Sequence, residues 1–126
     1  MTDVRASNAA HHDNTMAADG ASFETELKAA VRGEVRFDIG YRAMYSTDAS
    51  NYRQVPLAVV CPRDEADVIA AVAICRKYDA PIVSRGGGTS LAGETCNDAV
   101  VFDFSKYMNQ ILEIDYDQKY AWVQPG

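Results

Sequence analysis

The sequence has 126 residues, of which 48% are hydrophobic, and its formal net charge of −6 comes from 18 acidic and 12 basic side chains. This length allows one small domain, and the scattered basic residues argue against nucleic acid or an anionic membrane as a partner. The chain has neither an apolar run long enough to span a membrane nor the apolar core of a signal peptide, so we expect a cytoplasmic protein.

The N-terminal residues 1–21 are predicted to be a disordered tail. They are rich in Ala, Asn, Asp and His and contain few large apolar side chains. Such a composition cannot bury enough apolar surface to order the backbone. We interpret His11 and His12 as solvated tail residues without a chemical role.

Residues 22–52 are predicted to form a short helix and a lead-in segment. Ser22 is a candidate N-cap and Gly33 a candidate stop for an amphipathic helix whose apolar side chains have helical spacing: Phe23, Leu27, Ala30 and Val31. In the lead-in segment, alternating apolar residues are followed by Tyr41, Met44 and Tyr45. We expect these three side chains to fill a core.

The next segment is predicted to be a strand–helix–strand unit. Residues 57–61 form an apolar run that Pro62 ends, and Asp64 is positioned to cap a helix that reaches about Tyr78. The apolar stripe of this helix is predicted to comprise Val68, Val72 and Cys75, beside Ile69 and Ala73. Residues 82–84 form the second strand, and the helical crossover makes the two strands parallel.

The C-terminal part is predicted to be a strand and a hairpin. Residues 99–104 form the strand, and residues 111–114 and 120–123 form the hairpin across a polar turn. Because apolar residues alternate in the hairpin, we expect one of its faces to be buried. Trp122 is interpreted as a core or sheet-face residue.

A glycine-rich loop follows the second strand of the unit. Residues 84–93 read Ser-Arg-Gly-Gly-Gly-Thr-Ser-Leu-Ala-Gly. Glycines tolerate positive φ and have no Cβ, so several backbone N–H groups can converge on one anion, while Thr89 and Ser90 add hydroxyl donors. At the carboxyl end of a parallel strand, where open α/β sheets bind ligands, this loop predicts a pyrophosphate site.

Two common phosphate motifs do not fit this loop. Gly88 and Gly93 have the spacing of a Walker A motif, but Glu94 follows where that motif needs a lysine. The dinucleotide fingerprint needs a third glycine where this chain has Leu91. A plain glycine-rich turn between two elements therefore stays open as an alternative.

Residues 47–126 resemble the FAD-binding domain of the vanillyl-alcohol oxidase/p-cresol methylhydroxylase (PCMH) type, also called FAD-linked oxidase N-terminal. The resemblance rests on a series of segments in order: Thr-Asp-Ala-Ser-Asn-Tyr at 47–52, Pro-Leu-Ala-Val-Val-Cys-Pro at 56–62 with the helix after it, Arg-Gly-Gly-Gly-Thr-Ser-Leu-Ala-Gly at 85–93, Val-Phe-Asp-Phe-Ser at 101–105, Met-Asn at 108–109 and Val-Gln-Pro-Gly at 123–126. The segments at 47–52 and 85–93 are most similar to the glycolate oxidase, D-lactate dehydrogenase and D-2-hydroxyglutarate dehydrogenase branch.

The resemblance implies a fold class and a domain division. We expect an α/β fold, the first subdomain of a PCMH-type domain, with a small mixed sheet, a parallel strand–helix–strand unit and a C-terminal hairpin. Residues 53–126 would be a truncated part of that domain, after the tail 1–21 and the segment 22–52. The chain is accordingly interpreted as an N-terminal fragment that is inactive alone.

The resemblance also implies FAD as the cofactor. Arg85 would either complement the phosphate charge or brace the loop through carbonyl contacts, and Pro62 would line the adenine portion. Gly93 would allow close backbone approach, and Gly126 would begin a turn along the cofactor. The pyrophosphate would be bound by the backbone amides of Gly86, Gly87, Gly88, Thr89 and Ser90. Family members that bind FAD covalently have a histidine at the position of Thr89, so non-covalent FAD is predicted.

The implied chemistry is hydride transfer from a D-2-hydroxy acid to flavin N5, with an iron–sulfur domain or subunit as an expected partner. No catalytic residue can be named, and the three widely spaced cysteines predict no disulfide framework or metal site. The alternative function is a stand-alone nucleotide-binding, pyrophosphate-binding or interaction module without catalysis.

Overall fold

The computed structural model describes residues 19–126. Residues 1–18 of the tail that was predicted to be disordered lie outside this range, and so do His11 and His12. Residues 19–21 are helical, so the prediction is wrong for these three residues. Helix α1 occupies residues 19–30, so the prediction that Ser22 caps the helix is wrong, because residues 19–21 are already helical. Of the predicted apolar side chains, Phe23, Leu27 and Val31 are buried and Ala30 is half-buried.

A four-stranded mixed sheet forms the centre of the fold, with the strand order β1-β2-β4-β3. Its strands are β1 (Glu34–Arg36), β2 (Ala58–Cys61), β3 (Ile82–Arg85) and β4 (Val100–Asp103). Strand β4 pairs in parallel with both β2 and β3, whereas β1 pairs antiparallel with β2. The predicted α/β architecture with a parallel strand–helix–strand unit is confirmed.

The two central strands are buried along their whole length, as expected for parallel strands covered on both faces. Side chains alternate between the faces, so Val60 and Phe102 contribute to the main core with α1 and with helix α3 (Glu65–Lys77). On the opposite face, Val59 and Val101 pack against tyrosines from the short helix α2 (Ile39–Met44) and from other segments. Met44 is exposed, so its predicted core role is wrong.

Helix α3 begins at the predicted cap, where the Asp64 side chain accepts a hydrogen bond from the N–H of Asp67. Its buried face was predicted only in part, since Cys75 is buried and Val68 packs against the main core as expected. The inward positions are Asp67, Ala71 and Cys75, whereas Ile69 is 62% exposed and Val72 is 41% exposed. Asp67 faces inward because its carboxylate accepts backbone hydrogen bonds from residues 32, 33 and 63, which rotates the helix away from the purely apolar stripe.

The predicted hairpin is present as a separate two-stranded antiparallel sheet of β5 (Ile111–Asp115) and β6 (Tyr120–Val123). The prediction that one of its faces is buried is wrong. Trp122 is 63% exposed, and the other large apolar side chains of both strands are also exposed. The alternation of apolar residues along the strands predicts that the hairpin has two distinct faces. It does not predict whether another segment packs on either face.

None of the helices within residues 19–126 is both long enough and apolar enough to cross a lipid bilayer.

Candidate functional site

The glycine-rich loop begins at the carboxyl end of β3, as predicted. Because β2, β3 and β4 are parallel, their carboxyl ends lie at the same edge of the sheet. Pro62 follows β2 at this edge, but its side chain is fully buried. Strand β4 lies between β2 and β3, which separates Pro62 from the loop by about 10 Å at usual strand spacing. The structure therefore brings residues 85–93 together and leaves Pro62 two strands away.

The backbone of the loop presents free donors. Among the hydrogen bonds formed within residues 19–126, none is donated by the N–H groups of residues 86–90. The Ser90 hydroxyl accepts bonds from the N–H groups of Ala92 at 3.3 Å and Glu94 at 3.2 Å, which folds the second half of the loop. The first half therefore has consecutive amides that no acceptor within residues 19–126 uses.

The glycines of the loop differ in their φ angles and in the space that a Cβ atom would have. Gly88 has φ 67° and Gly93 has φ 82°, and a Cβ atom there would lie 2.5 Å from Arg85 Nη2 and 2.6 Å from the Tyr52 ring, respectively. The positive φ and the close neighbours therefore favour glycine at both positions. A Cβ at Gly87 would meet only the Thr89 methyl carbon at 3.6 Å, and φ is not positive there. Folding does not require a glycine at residue 87, which is exposed.

Arg85 braces the loop through contacts with the preceding segment. Its Nη1 donates a hydrogen bond to the Thr47 carbonyl at 2.9 Å, and its guanidinium carbon lies 5.2 Å from the centre of the Tyr45 ring. The carbonyl contact is the one expected if Arg85 braces the loop.

Residues 46–52, here called the strap, lie along the glycine-rich loop. The N–H of Ala49 donates to the Gly88 carbonyl at 3.0 Å, and the Thr95 hydroxyl donates to Asp48 Oδ2 at 3.0 Å. Hydrogen bonds from Ser50 hold the pKa of the Asp48 carboxyl well below its usual range. The sequence analysis used this segment only for the resemblance and missed its contacts with the loop. The Asp-x-Ser pattern, typical of a turn closed by its own side chain, was the available signal.

The last residues of the chain also reach this edge of the sheet. The N–H of Gly126 donates to the Met108 carbonyl at 2.9 Å. A Cβ atom at Gly126 would lie 2.2 Å from the Phe104 carbonyl oxygen, and a Cβ at Gly86 would lie 3.8 Å from the Pro125 carbonyl oxygen. The Val-Gln-Pro-Gly segment therefore passes beside the start of the glycine-rich loop.

Comparison with protein families matches residues 56–126 to the family described as an FAD binding domain. The chain belongs to this family. It is 46% identical over 88 residues to glycolate oxidase subunit GlcD of Bacillus subtilis, covering 68% of this chain and 18% of that protein. It is 36% identical over 98 residues to D-2-hydroxyglutarate dehydrogenase of Pseudomonas putida, covering 75% of this chain and 10% of that protein. The chain thus spans about a tenth to a fifth of the length of these relatives.

Solved structures agree with this family assignment. The FAD-binding-domain chain superposes on p-cresol methylhydroxylase with a TM-score of 0.72 and 23% identity, over 86% of this chain and 22% of that one. With 4-ethylphenol oxidase from Gulosibacter chungangensis the TM-score is 0.68 at 27% identity, over 87% of this chain and 23% of that one. The resemblance to the PCMH-type fold, drawn from the sequence, is confirmed.

Proposed function

We propose that this chain binds the pyrophosphate of FAD within a flavin-dependent oxidoreductase that acts on a 2-hydroxy acid. The observation that supports it most directly is the run of N–H groups at residues 86–90 that make no hydrogen bond within residues 19–126, at the carboxyl edge of a parallel sheet. The second support is Gly87, which is exposed and unstrained. The fold does not need a glycine at this position, but the absence of a side chain leaves space for a ligand.

The residues present fit a pyrophosphate. Backbone amides from residues 86–90 would donate to its oxygens, with the hydroxyls of Thr89 and Ser90 as further donors. Arg85 would act by bracing the loop, since its Nη1 already binds the Thr47 carbonyl. The role of Pro62 at the adenine end of the site stays a prediction. Because its ring is buried, Pro62 would act by fixing the path of the backbone after β2.

When bound, FAD supplies the hydride acceptor, flavin N5, for oxidation of the carbon that bears the hydroxyl of a 2-hydroxy acid. This chain would bind and orient the cofactor. The substrate class is proposed from the names of relatives, a glycolate oxidase subunit and D-2-hydroxyglutarate dehydrogenases. No residue of the chain is proposed to act on substrate, and the chain alone is proposed to be inactive.

Three further features belong to the same proposal. Thr89 stands where covalent flavoproteins of the resembled type have a histidine, so FAD would be held without a covalent bond. An iron–sulfur domain or subunit would be the electron-transfer partner, as in the subset of the resembled branch whose FAD portion is fused to an iron–sulfur portion. The compartment would be the cytoplasm.

The test is a calorimetric titration of the 126-residue chain with FAD, ADP and riboflavin. Backbone recognition of pyrophosphate predicts that FAD and ADP bind and compete, and that riboflavin, which has no phosphate, does not bind. Gly87→Ala should weaken both FAD and ADP because the new methyl group occupies the approach to the amides. Riboflavin binding as tight as FAD binding, or no FAD and ADP binding at all, would contradict the proposal.

A further inference from the structure

The strap lies outside the part of the chain that matches the FAD binding domain family, which begins at residue 56. It nevertheless contacts the glycine-rich loop at its start, middle and end. Arg85 donates to the Thr47 carbonyl at 2.9 Å, and Ala49 donates to the Gly88 carbonyl at 3.0 Å. At the far end, the Tyr52 ring lies against Gly93. Just after the loop, the Cys96 thiol lies 3.5 Å from the carbonyl oxygen of Ser46 and 3.6 Å from that of Tyr52.

Asp48 connects the strap to the segment just after the loop with its two carboxylate oxygens. Oδ1 accepts hydrogen bonds from the N–H and the hydroxyl of Ser50, and these bonds close the turn of the strap. Oδ2 accepts the hydroxyl of Thr95 at 3.0 Å. Because hydrogen bonds from Ser50 lower the pKa of Asp48, the carboxylate is ionised at neutral pH, and its bonds are charge-assisted.

We propose that Asp48 is a positioning residue that orders the glycine-rich loop for the pyrophosphate of FAD by tying Thr95 to the strap. The inference rests on the proposed function. The loop has several glycines, and the N–H groups of residues 86–90 form no hydrogen bonds within the described residues, so its free backbone has much conformational entropy to lose. Ordering the loop before the ligand arrives lowers that cost of binding.

Two measurements on the full chain test this role. One is FAD affinity by calorimetry, and the other is the rate constant for alkylation of the Cys96 thiolate without ligand. That constant is taken from a pH series, because burial and the nearby Asp48 carboxylate both raise the pKa of the thiol. Cys96 is half-buried against the strap, whereas Cys61 and Cys75 are fully buried and report global unfolding. The variants are Asp48→Ala, Thr95→Val and their double. Asp115→Ala is the matched control, because Asp115 closes a turn by accepting the Gln118 N–H at 2.7 Å in the hairpin.

We expect either single variant to weaken FAD binding and to accelerate Cys96 alkylation, each by about tenfold, which corresponds to one charge-assisted hydrogen bond. The double variant should lose no more than Asp48→Ala alone, and the control should stay within about twofold of wild type. If Asp48→Ala exposes Cys61 and Cys75, Thr95→Val alone carries the test, since it removes the bond to Thr95 and keeps the turn that Ser50 closes. In Asp48→Asn the amide can still accept from Ser50 and donate to the Thr95 hydroxyl, but its bonds are no longer charge-assisted, so it should recover only part of the loss in both readouts.

The outcomes separate this inference from the proposed function. A wild-type chain that binds neither FAD nor ADP overturns the proposed function and with it the ligand role of Asp48, whatever the thiol rates. If the wild type binds FAD, unchanged affinity in Asp48→Ala overturns the inference alone. Weaker FAD binding at an unchanged Cys96 rate also overturns it, because the loss then does not pass through the order of the loop. Additive losses in the double variant have the same consequence.

Discussion

The Tyr45 hydroxyl donates a 2.7 Å hydrogen bond to Oδ2 of Asp103, which joins the end of helix α2 to the carboxyl end of the central strand β4. Asp103 is only 6% exposed, and its other oxygen accepts from the N–H and hydroxyl of Ser105. The same tyrosine ring lies under the guanidinium of Arg85. One side chain thus supports both the sheet edge and the first residue of the glycine-rich loop.

Replacing Tyr45 with phenylalanine should lower the free energy of unfolding by about 1–3 kcal/mol, because a buried carboxylate loses a donor while the ring packing is kept. Urea denaturation measures this change. Tyr52→Phe is the matched control, since Tyr52 is 62% exposed and its hydroxyl makes no hydrogen bond within the described residues. Equal losses in the two variants would show that the Asp103 bond contributes nothing particular.

Asp67 is predicted to stabilise the fold in a pH-dependent way. Burial alone would raise the pKa of this carboxyl, but hydrogen bonds from the N–H groups of Arg63, Arg32 and Gly33, with the charge of Arg32, bring the pKa below its usual value. A depressed folded-state pKa gives stability that is present above the unfolded value of about 3.9 and is lost as pH falls through the folded value.

Asp67→Ala should therefore cost about 3 kcal/mol at pH 7, because backbone donors are left without an acceptor. When the pH is lowered below about 4, the free energy of unfolding measured with urea should decrease less in the variant than in wild type. Asp98→Ala, at an exposed position, is the control. If the free energy of unfolding falls as steeply with acidification in Asp67→Ala as in wild type, the pH-dependent role of Asp67 is contradicted.

Two neighbouring glycines should respond differently to alanine. Gly88→Ala should destabilise the chain by about 1–2 kcal/mol, since φ is 67° and the new Cβ would meet the Arg85 guanidinium. Gly87→Ala should leave the free energy of unfolding within about 0.5 kcal/mol of wild type, because it meets neither strain nor a close atom. Thermal unfolding without ligand separates the two. A larger loss at Gly87 would show that this glycine serves the fold.

Local patterns were sufficient to predict most of the secondary structure. The apolar runs before Pro62 and after Pro81, the cap at Asp64 and the polar turn before Tyr120 each mark an element that the structure contains. The loop at the end of β3 followed from the same order of elements. These features depend on short-range chemistry, so a single sequence is enough to find them.

Burial was less predictable, because it depends on long-range partners. Asp67 faces the core, which a hydrophobicity pattern cannot indicate, since its backbone donors come from other segments of the chain. The hairpin has the alternation of a half-buried sheet but no cover among residues 19–126. The contact between Asp48 and Thr95 joins positions 47 residues apart, and neither position alone signals the other.

Trp122 provides a direct test of the exposed hairpin, because it is the single tryptophan of the chain. Its emission in the folded state should resemble that of a solvent-exposed indole and shift little on unfolding. Trp122→Ser should change the free energy of unfolding by less than about 1 kcal/mol, whereas Phe102→Ala, in the core, should cost about 3–5 kcal/mol. Blue-shifted emission that moves on dilution would instead show a face covered by self-association.

Acid or heat should release any bound flavin intact, because Thr89 stands where covalently flavinylated proteins of the resembled type have histidine. A threonine hydroxyl is a weak nucleophile at its ordinary pKa and needs an adjacent base to become active. The structure gives Thr89 an exposed position beside Gly87, and its hydroxyl makes no hydrogen bond within residues 19–126. The measurement is flavin absorbance in the supernatant after acid precipitation of the FAD-saturated chain. Flavin fluorescence that stays with the protein on a denaturing gel would contradict the prediction, and Thr89→Ala would then show whether residue 89 is the point of attachment.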